Sequence, residues 1–312
     1  MSVRRLIDAI RRTGNPTEVG LDPKLEYIPE QITGPCLEEY GQTLEGAAQC
    51  LWQFNRALID GLCDLVPAVK PQAAYYELLG PAGAWALKQT IDYAHEKGME
   101  VIADVKRNDI GSTAAAYAAA YLGTTRVGER EIAAYGADSA TVNAYLGTDG
   151  VEPFLDQCRQ GEKSIFVLVK TSNPSSGEFQ NRLLEGKPLY QAVAEKINQW
   201  SEGMPRYEGY SPVGAVVGAT YPEEQRVLRQ LIPHAFFLVP GYGAQGATAQ
   251  DIAGAFDRDG LGAIVNSSRG ILCAWKKTGR GGADFVEAAR AEAIRMREDI
   301  MAVVARERMG RG

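Results

Sequence analysis

Histidines and paired cysteines are scarce in this chain of 312 residues. Only His95 and His234 are present, so we do not expect chemistry that needs a histidine base or a histidine metal cluster. The five cysteines, at positions 36, 50, 63, 158 and 273, include no Cys-x-x-Cys pair. This scatter favours the reduced thiols of a cytoplasmic protein over a disulfide frame or a zinc site.

Long apolar segments and basic tracts are also missing. No apolar run approaches the roughly 20 residues that span a bilayer. The net charge is -6 and no basic tract is present, so we expect neither a membrane nor a nucleic acid as partner. The amphipathic stretch 2–12 contains Asp8, whereas transit peptides are poor in acidic residues. We therefore expect an outer helix packed on the fold.

Eight short apolar runs alternate with helical patterns along the chain. The runs carry few internal charges, as expected of strands buried on both faces. They span 18–21, 65–70, 100–105, 139–142, 164–169, 214–218, 235–239 and 262–265. The helical patterns cover 37–64, 82–97, 114–122, 128–135, 188–202, 222–231, 249–256 and 282–307.

Eight strand–helix units that close on themselves form a (β/α)8 TIM barrel, and an open doubly wound sheet is the alternative. Polar residues follow most of the strands, where barrel enzymes build their active sites, which favours the barrel. We find no linker or repeat and expect a single domain over residues 1–312. The stretch 173–212 exceeds what one unit needs, which predicts a lid-like insertion.

A charged array ends the third predicted strand. Asp104 and Lys106 are two residues apart, so their side chains point the same way, into the barrel at its rim. Asp109 lies in the following turn, and Lys70 ends the second strand. A structural ion-pair network is the simpler interpretation. Charges clustered above a buried strand nevertheless favour a functional site.

A glycine-rich loop follows the seventh predicted strand. Residues 241–246 match Gly-x-Gly-x-x-Gly, but a dinucleotide fingerprint normally lies in the first βα unit. Loops after strands seven and eight of such barrels often bind phosphate. Arg269, four residues past the last predicted strand, can add a bidentate contact. A plain turn and a surface arginine are the alternative.

The segment 101–114, which reads VIADVKRNDIGSTA, resembles the signature of the orotidine 5′-phosphate decarboxylase family. Further matching motifs are Gly20-Leu21-Asp22, Val69-Lys70-Pro71, Lys170-Thr171-Ser172-Asn173-Pro174, the loop 240–246 and Ser268-Arg269-Gly270-Ile271. Together they extend the resemblance over nearly the whole chain. The length and the Ser-Asn-Pro loop are similar to the longer bacterial branch of the family.

The resemblance implies the last step of UMP biosynthesis, a carboxy-lyase reaction on orotidine 5′-monophosphate without metal or cofactor. Lys106 would donate a proton to the ring carbanion, and Asp104 would hold Lys106 beside the departing carboxylate. Lys70 and Asp22 would contact ribose hydroxyls. Other implied contacts are Ser172 to the base, Gln245 between base and phosphate, and Gly243, Ser268 and Arg269 at the phosphate. Shorter relatives have glycine where this chain has Ser268.

The resemblance also implies a homodimer with shared active sites. Asp109, with Ile110 and Thr113, would reach into the site of the neighbouring subunit.

Two other functions remain open. A related Mg²⁺-dependent phosphosugar decarboxylase or aldolase would need an extra carboxylate ligand near strand two, where this chain has Lys70-Pro71-Gln72. A non-catalytic phosphometabolite-binding protein would have no need of Lys106.

Overall fold

Eight parallel strands close into one barrel in the computed structural model, which describes residues 2–160, 163–243 and 246–310, the last four by backbone alone. The strands are β1 (Thr17–Leu21), β2 (Ala68–Pro71), β3 (Glu100–Arg107), β4 (Ser139–Val142), β5 (Ser164–Lys170), β6 (Val213–Val217), β7 (Phe237–Val239) and β8 (Ala263–Ser267). Neighbours in sequence are neighbours in space, and β8 pairs with β1. The predicted (β/α)8 barrel is confirmed, and the open sheet is wrong.

The strands are apolar because both of their faces are covered. Inward side chains such as Ile102, Phe166 and Ile264 pack inside the barrel, whereas Val19 and Val101 pack outward against the helices. All eight predicted strands are present, with bounds that differ from the prediction by a few residues.

Helices cover the barrel. They are α1 (Ser2–Thr13), α2 (Glu30–Tyr40), α3 (Leu44–Leu62), α4 (Ala73–Glu77), α5 (Gly80–Glu96), α6 (Gly111–Tyr121), α7 (Thr148–Arg159), α8 (Gly177–Gln180), α9 (Leu189–Trp200), α10 (Pro222–Leu231), α11 (Arg269–Leu272) and α12 (Phe285–Gly310). None of the described helices is both long and apolar enough to cross a membrane.

Three helix predictions were wrong. The stretch 37–64 is divided between α2 and α3, because Gly41 has φ 78° and Thr43 caps α3 by accepting from the Gly46 amide at 3.0 Å. Residues 128–135 contain half of the antiparallel hairpin Thr125–Val127 and Arg130–Ile132. The stretch 249–256 forms only a short 3₁₀ turn, Ala253–Ala255.

Helix α7 was not predicted, because Pro153 interrupts its pattern. Its buried residues Val151, Phe154, Leu155 and Cys158 nevertheless keep helical spacing.

Helix α1 closes the floor of the barrel. Its buried residues Leu6 and Ile7 pack against the inward side chains of the strands. Arg5 also binds Glu100 at 2.9 Å and Asp138 at 2.6 Å, where β3 and β4 begin. The predicted outer helix therefore covers the end of the barrel where the strands begin, and one of its faces packs into the barrel interior.

The insertion 173–212 contains a 3₁₀ turn (Pro174–Ser176), α8, the two-stranded hairpin Leu183–Leu184 and Lys187–Pro188, and α9. Its role as a lid and the single-domain assignment stay predictions.

Candidate active site

A cavity of about 670 Å³ opens at the carboxyl ends of the barrel strands. That volume falls within the range of small-molecule sites. Seven of the predicted site residues line it: Asp22, Lys70, Asp104, Lys106, Ser172, Ser268 and Arg269. Residues from β1, β2, β3, β5 and β8 thus meet at one rim, as the sequence predicted.

Asp104 is the centre of a hydrogen-bond array at the cavity floor. Its Oδ2 accepts from Lys70 Nζ at 2.8 Å and from Gln72 Nε2 at 2.9 Å. Its Oδ1 accepts from Lys106 Nζ at 2.5 Å and from Thr141 Oγ1 at 2.9 Å. Both oxygens of one carboxylate are therefore saturated, and two ammonium groups are fixed on either side of it.

The charges in this array stabilise one another. Burial of Asp104 opposes its ionisation, but the charges and hydrogen bonds of Lys70 and Lys106 outweigh burial and hold the pKa of Asp104 well below its ordinary value. Burial of Lys70 disfavours its charge, yet Asp104 and Asp22, and Glu18 when it is ionised, raise its pKa above the usual range. Asp104 and Lys70 are thus both charged across the physiological pH range.

Lys106 reaches from the rim into open space. Its side chain is 45% exposed, whereas that of Lys70 is 4% exposed. The pairing register of β3 with β4 shifts between Ala103 and Arg107, and Lys106 has φ 47°, a left-handed conformation that is strained for a residue other than glycine. Such strain persists only where neighbouring contacts impose it.

Thr141 supplies those contacts. Its Oγ1 accepts from the backbone amides of Val105 and Lys106, each at 2.9 Å, while its hydroxyl hydrogen bonds to Asp104. One hydroxyl group therefore holds both the backbone that carries Lys106 and the carboxylate that orients its ammonium group.

Sequence reasoning missed Gln72 and Thr141. A signal for each was present: Gln72 is two residues beyond Lys70, and Thr141 precedes Asn143, a rim position, by two. Side-chain alternation directs both toward the barrel interior.

Two glycines keep the cavity open. A Cβ at Gly20 would lie 1.9 Å from Ser268 Oγ, and a Cβ at Gly218 would lie 2.9 Å from Cα of Ser172. Larger residues at these positions would displace predicted substrate contacts.

Five predicted site residues are not found among the lining residues. Asp109, Ile110, Thr113 and Gly243 are described but lie outside the lining of the chain's own cavity. Gln245 lies outside the described residues.

Lys170, the last residue of β5, is turned away from the cavity. Its Nζ binds Asn181 Oδ1 at 2.7 Å and lies 4.2 Å from the ring centre of Tyr221.

The family model described as "Orotidine 5'-phosphate decarboxylase / HUMPS family" matches residues 48–279, more than half of the chain. The chain belongs to this family. It is 46% identical to the orotidine 5′-phosphate decarboxylase of Rhodopirellula baltica over 296 residues, which cover 94% of this chain and 96% of the relative. Identity to the enzyme of the same name from Caldicellulosiruptor saccharolyticus is 39% over 300 residues, or 96% and 98% of the two chains.

Solved structures agree with the family assignment. The structure of Leishmania donovani OMP decarboxylase superposes with a TM-score of 0.74 at 29% identity. The match covers 97% of this chain and 98% of that one.

The array predicts a large loss of stability when Asp104 is neutralised. We expect Asp104→Asn to lower the free energy of unfolding by about 3–5 kcal/mol, because Lys70 is left buried without its carboxylate partner. The pKa of Asp104 is lower in the folded protein than its ordinary value of 3.8. Its contribution to the free energy of unfolding is therefore complete above pH 3.8 and is lost as the pH falls toward the folded-state pKa. Urea denaturation at pH 7 measures the first effect, and its extension to pH 3 measures the beginning of the second.

The matched control is Asp92→Asn, which breaks the half-exposed helical pair with Lys88. It should cost no more than about 1 kcal/mol. Equal losses in the two variants would show that the array does not stabilise the fold in this way.

Proposed function

We propose that this chain decarboxylates orotidine 5′-monophosphate to uridine 5′-monophosphate and carbon dioxide. The observation that carries this proposal is the pair of ammonium groups fixed by Asp104 at the floor of the cavity. Near-full-length relatives of this chain bear the name of that enzyme. The chain is thus a carboxy-lyase of UMP biosynthesis, and its reducing, cytoplasmic setting is part of the proposal.

Lys106 performs the proton transfer. The bond between ring carbon six and the carboxylate breaks, its electron pair stays on the carbon, and carbon dioxide leaves. The ammonium group of Lys106 stabilises this carbanion and then protonates it, which gives the product. Lys106 afterwards recovers a proton from water. Its exposure to the cavity and its 2.5 Å bond to Asp104 suit a donor that is held in place yet can reach the ring.

Asp104 and Lys70 prepare the site before substrate arrives. Electrostatic stabilisation is most effective when the charges are already oriented, since no reorganisation is then needed during the reaction. Asp104, hydrogen-bonded on both oxygens, lies beside the departing carboxylate. Lys70 and Asp22 bind the ribose hydroxyl groups, and both line the cavity.

The opposite side of the cavity binds the phosphate and the base. Arg269 and the amide of Ser268 bind the phosphate together with the loop that contains Gly243. Ser172 contacts the base, and Gln245 bridges the base and the phosphate. Arg269, Ser268 and Ser172 line the cavity, which supports their assignment.

A magnesium-dependent reaction is not favoured by the donors after β2. Magnesium sites are built from oxygen ligands, chiefly carboxylates. At the position where such an enzyme needs a further carboxylate, Gln72 donates its amide nitrogen to Asp104 at 2.9 Å. A purely phosphate-binding role does not require the four hydrogen bonds of the Asp104 carboxylate, one of which holds Lys106.

The activity should therefore survive removal of divalent metals. Purified protein treated with EDTA and desalted is expected to convert orotidine 5′-monophosphate to uridine 5′-monophosphate. The loss of substrate absorbance and the release of carbon dioxide measure this conversion. The same protein with added Mg²⁺ serves as the control and should be no faster. Turnover that requires Mg²⁺, or no turnover in either sample, would contradict the proposal.

We further propose that two chains form a dimer with shared active sites. Asp109, Ile110 and Thr113 do not line the chain's own cavity, and Ile110 is 59% exposed. The neighbouring turn exposes Tyr145 and Leu146, and the Leu146 amide bonds to Asn108 Oδ1 at 3.3 Å. Several exposed apolar side chains near Asp109, namely Ile110, Tyr145 and Leu146, support a partner chain at this place.

Mixing two inactive variants tests the shared site. Lys106→Ala and Asp109→Ala proteins, unfolded together and refolded, should regain activity, because a hybrid dimer contains one intact site. Random pairing of the two variants in equal amounts makes about half of the dimers hybrid, and each hybrid has one intact site of two. The mixture should therefore reach about a quarter of the wild-type activity. A mixture of Lys106→Ala and Asp104→Ala should stay inactive, since both residues belong to the same chain's side of the site. No recovery in the first mixture would mean that Asp109 does not act across an interface.

A further inference from the structure

Glu18 is a buried acidic residue that the proposed reaction does not use. It lies in β1 opposite Asn266 of β8, and its inward neighbour Gly20 lies opposite Lys70 of β2. Because side chains alternate along a strand, Glu18 points into the barrel with Gly20 and Asp22, one layer below the catalytic array. Its relative exposure is 0%.

The Glu18 carboxyl group has no hydrogen-bond partner among the described residues. Both of its oxygens are buried and unpaired, as are Oδ1 of Asn266 and Oδ1 of Asp22. An ionised carboxylate has only acceptor atoms and would add to this surplus. A protonated carboxyl group supplies a donor, so the surroundings favour the neutral acid.

The charged groups that face Glu18 are few. Lys70 comes from β2, Asp104 from β3 and Asp22 from the end of β1, whereas the pairing residue on β8, Asn266, is uncharged. Burial raises the pKa of Glu18 to about 8; Lys70 opposes this rise, and Asp104 and Asp22 add to it. Glu18 is therefore mostly neutral at pH 7 and ionises as the pH rises through about 8.

We propose that Glu18 is a positioning residue for Lys70, and that its neutral form keeps the enzyme competent. With Glu18 neutral, the Lys70 ammonium group stays on Asp104 and remains available to the substrate ribose. Loss of the Glu18 proton to solvent places a second carboxylate beneath Lys70. That charge draws Lys70 away from Asp104 and repels a substrate that carries both a phosphate and a carboxylate. The inference rests on the proposed decarboxylase activity.

The pH dependence of kcat/KM tests the proposal, because this parameter reports ionisations of the free enzyme. Wild-type activity should fall above pH 7 with an apparent pKa near 8. Glu18→Gln retains a neutral side chain of the same shape. This variant should keep kcat/KM at pH 7 within about threefold of the wild-type value. The fall of kcat/KM at alkaline pH, the alkaline limb of the profile, should move up by about one pH unit or more. Ionisation of the substrate affects both proteins equally.

The matched control is Glu100→Gln. Glu100 is also a buried carboxyl group on a barrel strand, and burial raises its pKa to about 7. It lies at the floor of the barrel beside Arg5, at the opposite end from the cavity. Its replacement changes stability but should leave the alkaline limb in place.

A second measurement needs no variant. The affinity of wild-type protein for uridine 5′-monophosphate, measured by calorimetry between pH 7 and pH 9, should fall with the same apparent pKa. The phosphate is already mostly ionised at pH 7 and its charge changes little above that pH, since its second pKa is about 6.

A limb that stays at the same pH in Glu18→Gln, or a nucleotide affinity that does not change over this interval, would overturn the role of Glu18. Failure of the proposed function looks different, because wild-type protein would then decarboxylate nothing at any pH.

Stability gives an independent check on the ionisation of Glu18 itself. The folded-state pKa is raised from 4.5, so the stability contributed by wild-type Glu18 is present below pH 4.5 and is lost as pH rises toward 8. The melting temperature of Glu18→Gln should therefore rise relative to wild type across that window.

Discussion

The paired hydrogen bonds of Asp104 to Lys70 and Lys106 are the interaction on which the rest of the site depends. Two ammonium groups do not stay close together in a half-buried cavity unless a negative charge lies between them. Asp104 supplies that charge, and Thr141 and Gln72 fix its orientation. The barrel contributes by bringing β2, β3 and β4 side by side, so that groups distant in sequence meet within hydrogen-bond distance.

The two ends of the barrel are built for different purposes. At the floor, α1 fills the opening with apolar side chains, and Arg5 binds the acidic residues where β3 and β4 begin. At the rim, the inward positions become polar and the interior opens into the cavity. Glu18 lies between these regions, where its buried carboxyl group has no hydrogen-bond partner among the described residues. Its protonation state therefore affects the charge balance of the layer above.

Much of this architecture could be predicted from local patterns. Apolar runs gave the eight strands, and the two-residue spacing of Asp104 and Lys106 predicted that they act together. Side-chain alternation indicates that Thr141 points inward, but its bonds to the Val105 and Lys106 amides could not be predicted, because they depend on a shift in register between β3 and β4 that no local pattern encodes. The hairpin that includes part of residues 128–135 was missed. Its turn depends on the φ of 63° at Gly128, which cannot be read from the sequence. The relation of Glu18 to Lys70 likewise appears only when β1 pairs with β2.

The central claim is that Lys106, held by Asp104, protonates the ring carbon. Replacing Lys106 with alanine and measuring turnover and uridine 5′-monophosphate affinity on the same sample tests it most directly. Turnover should fall by about a thousandfold or more while the nucleotide still binds, since only the transition state requires the ammonium group. Lys196→Ala, an exposed lysine on α9, should behave as wild type. A Lys106→Ala protein that keeps full turnover would contradict the account.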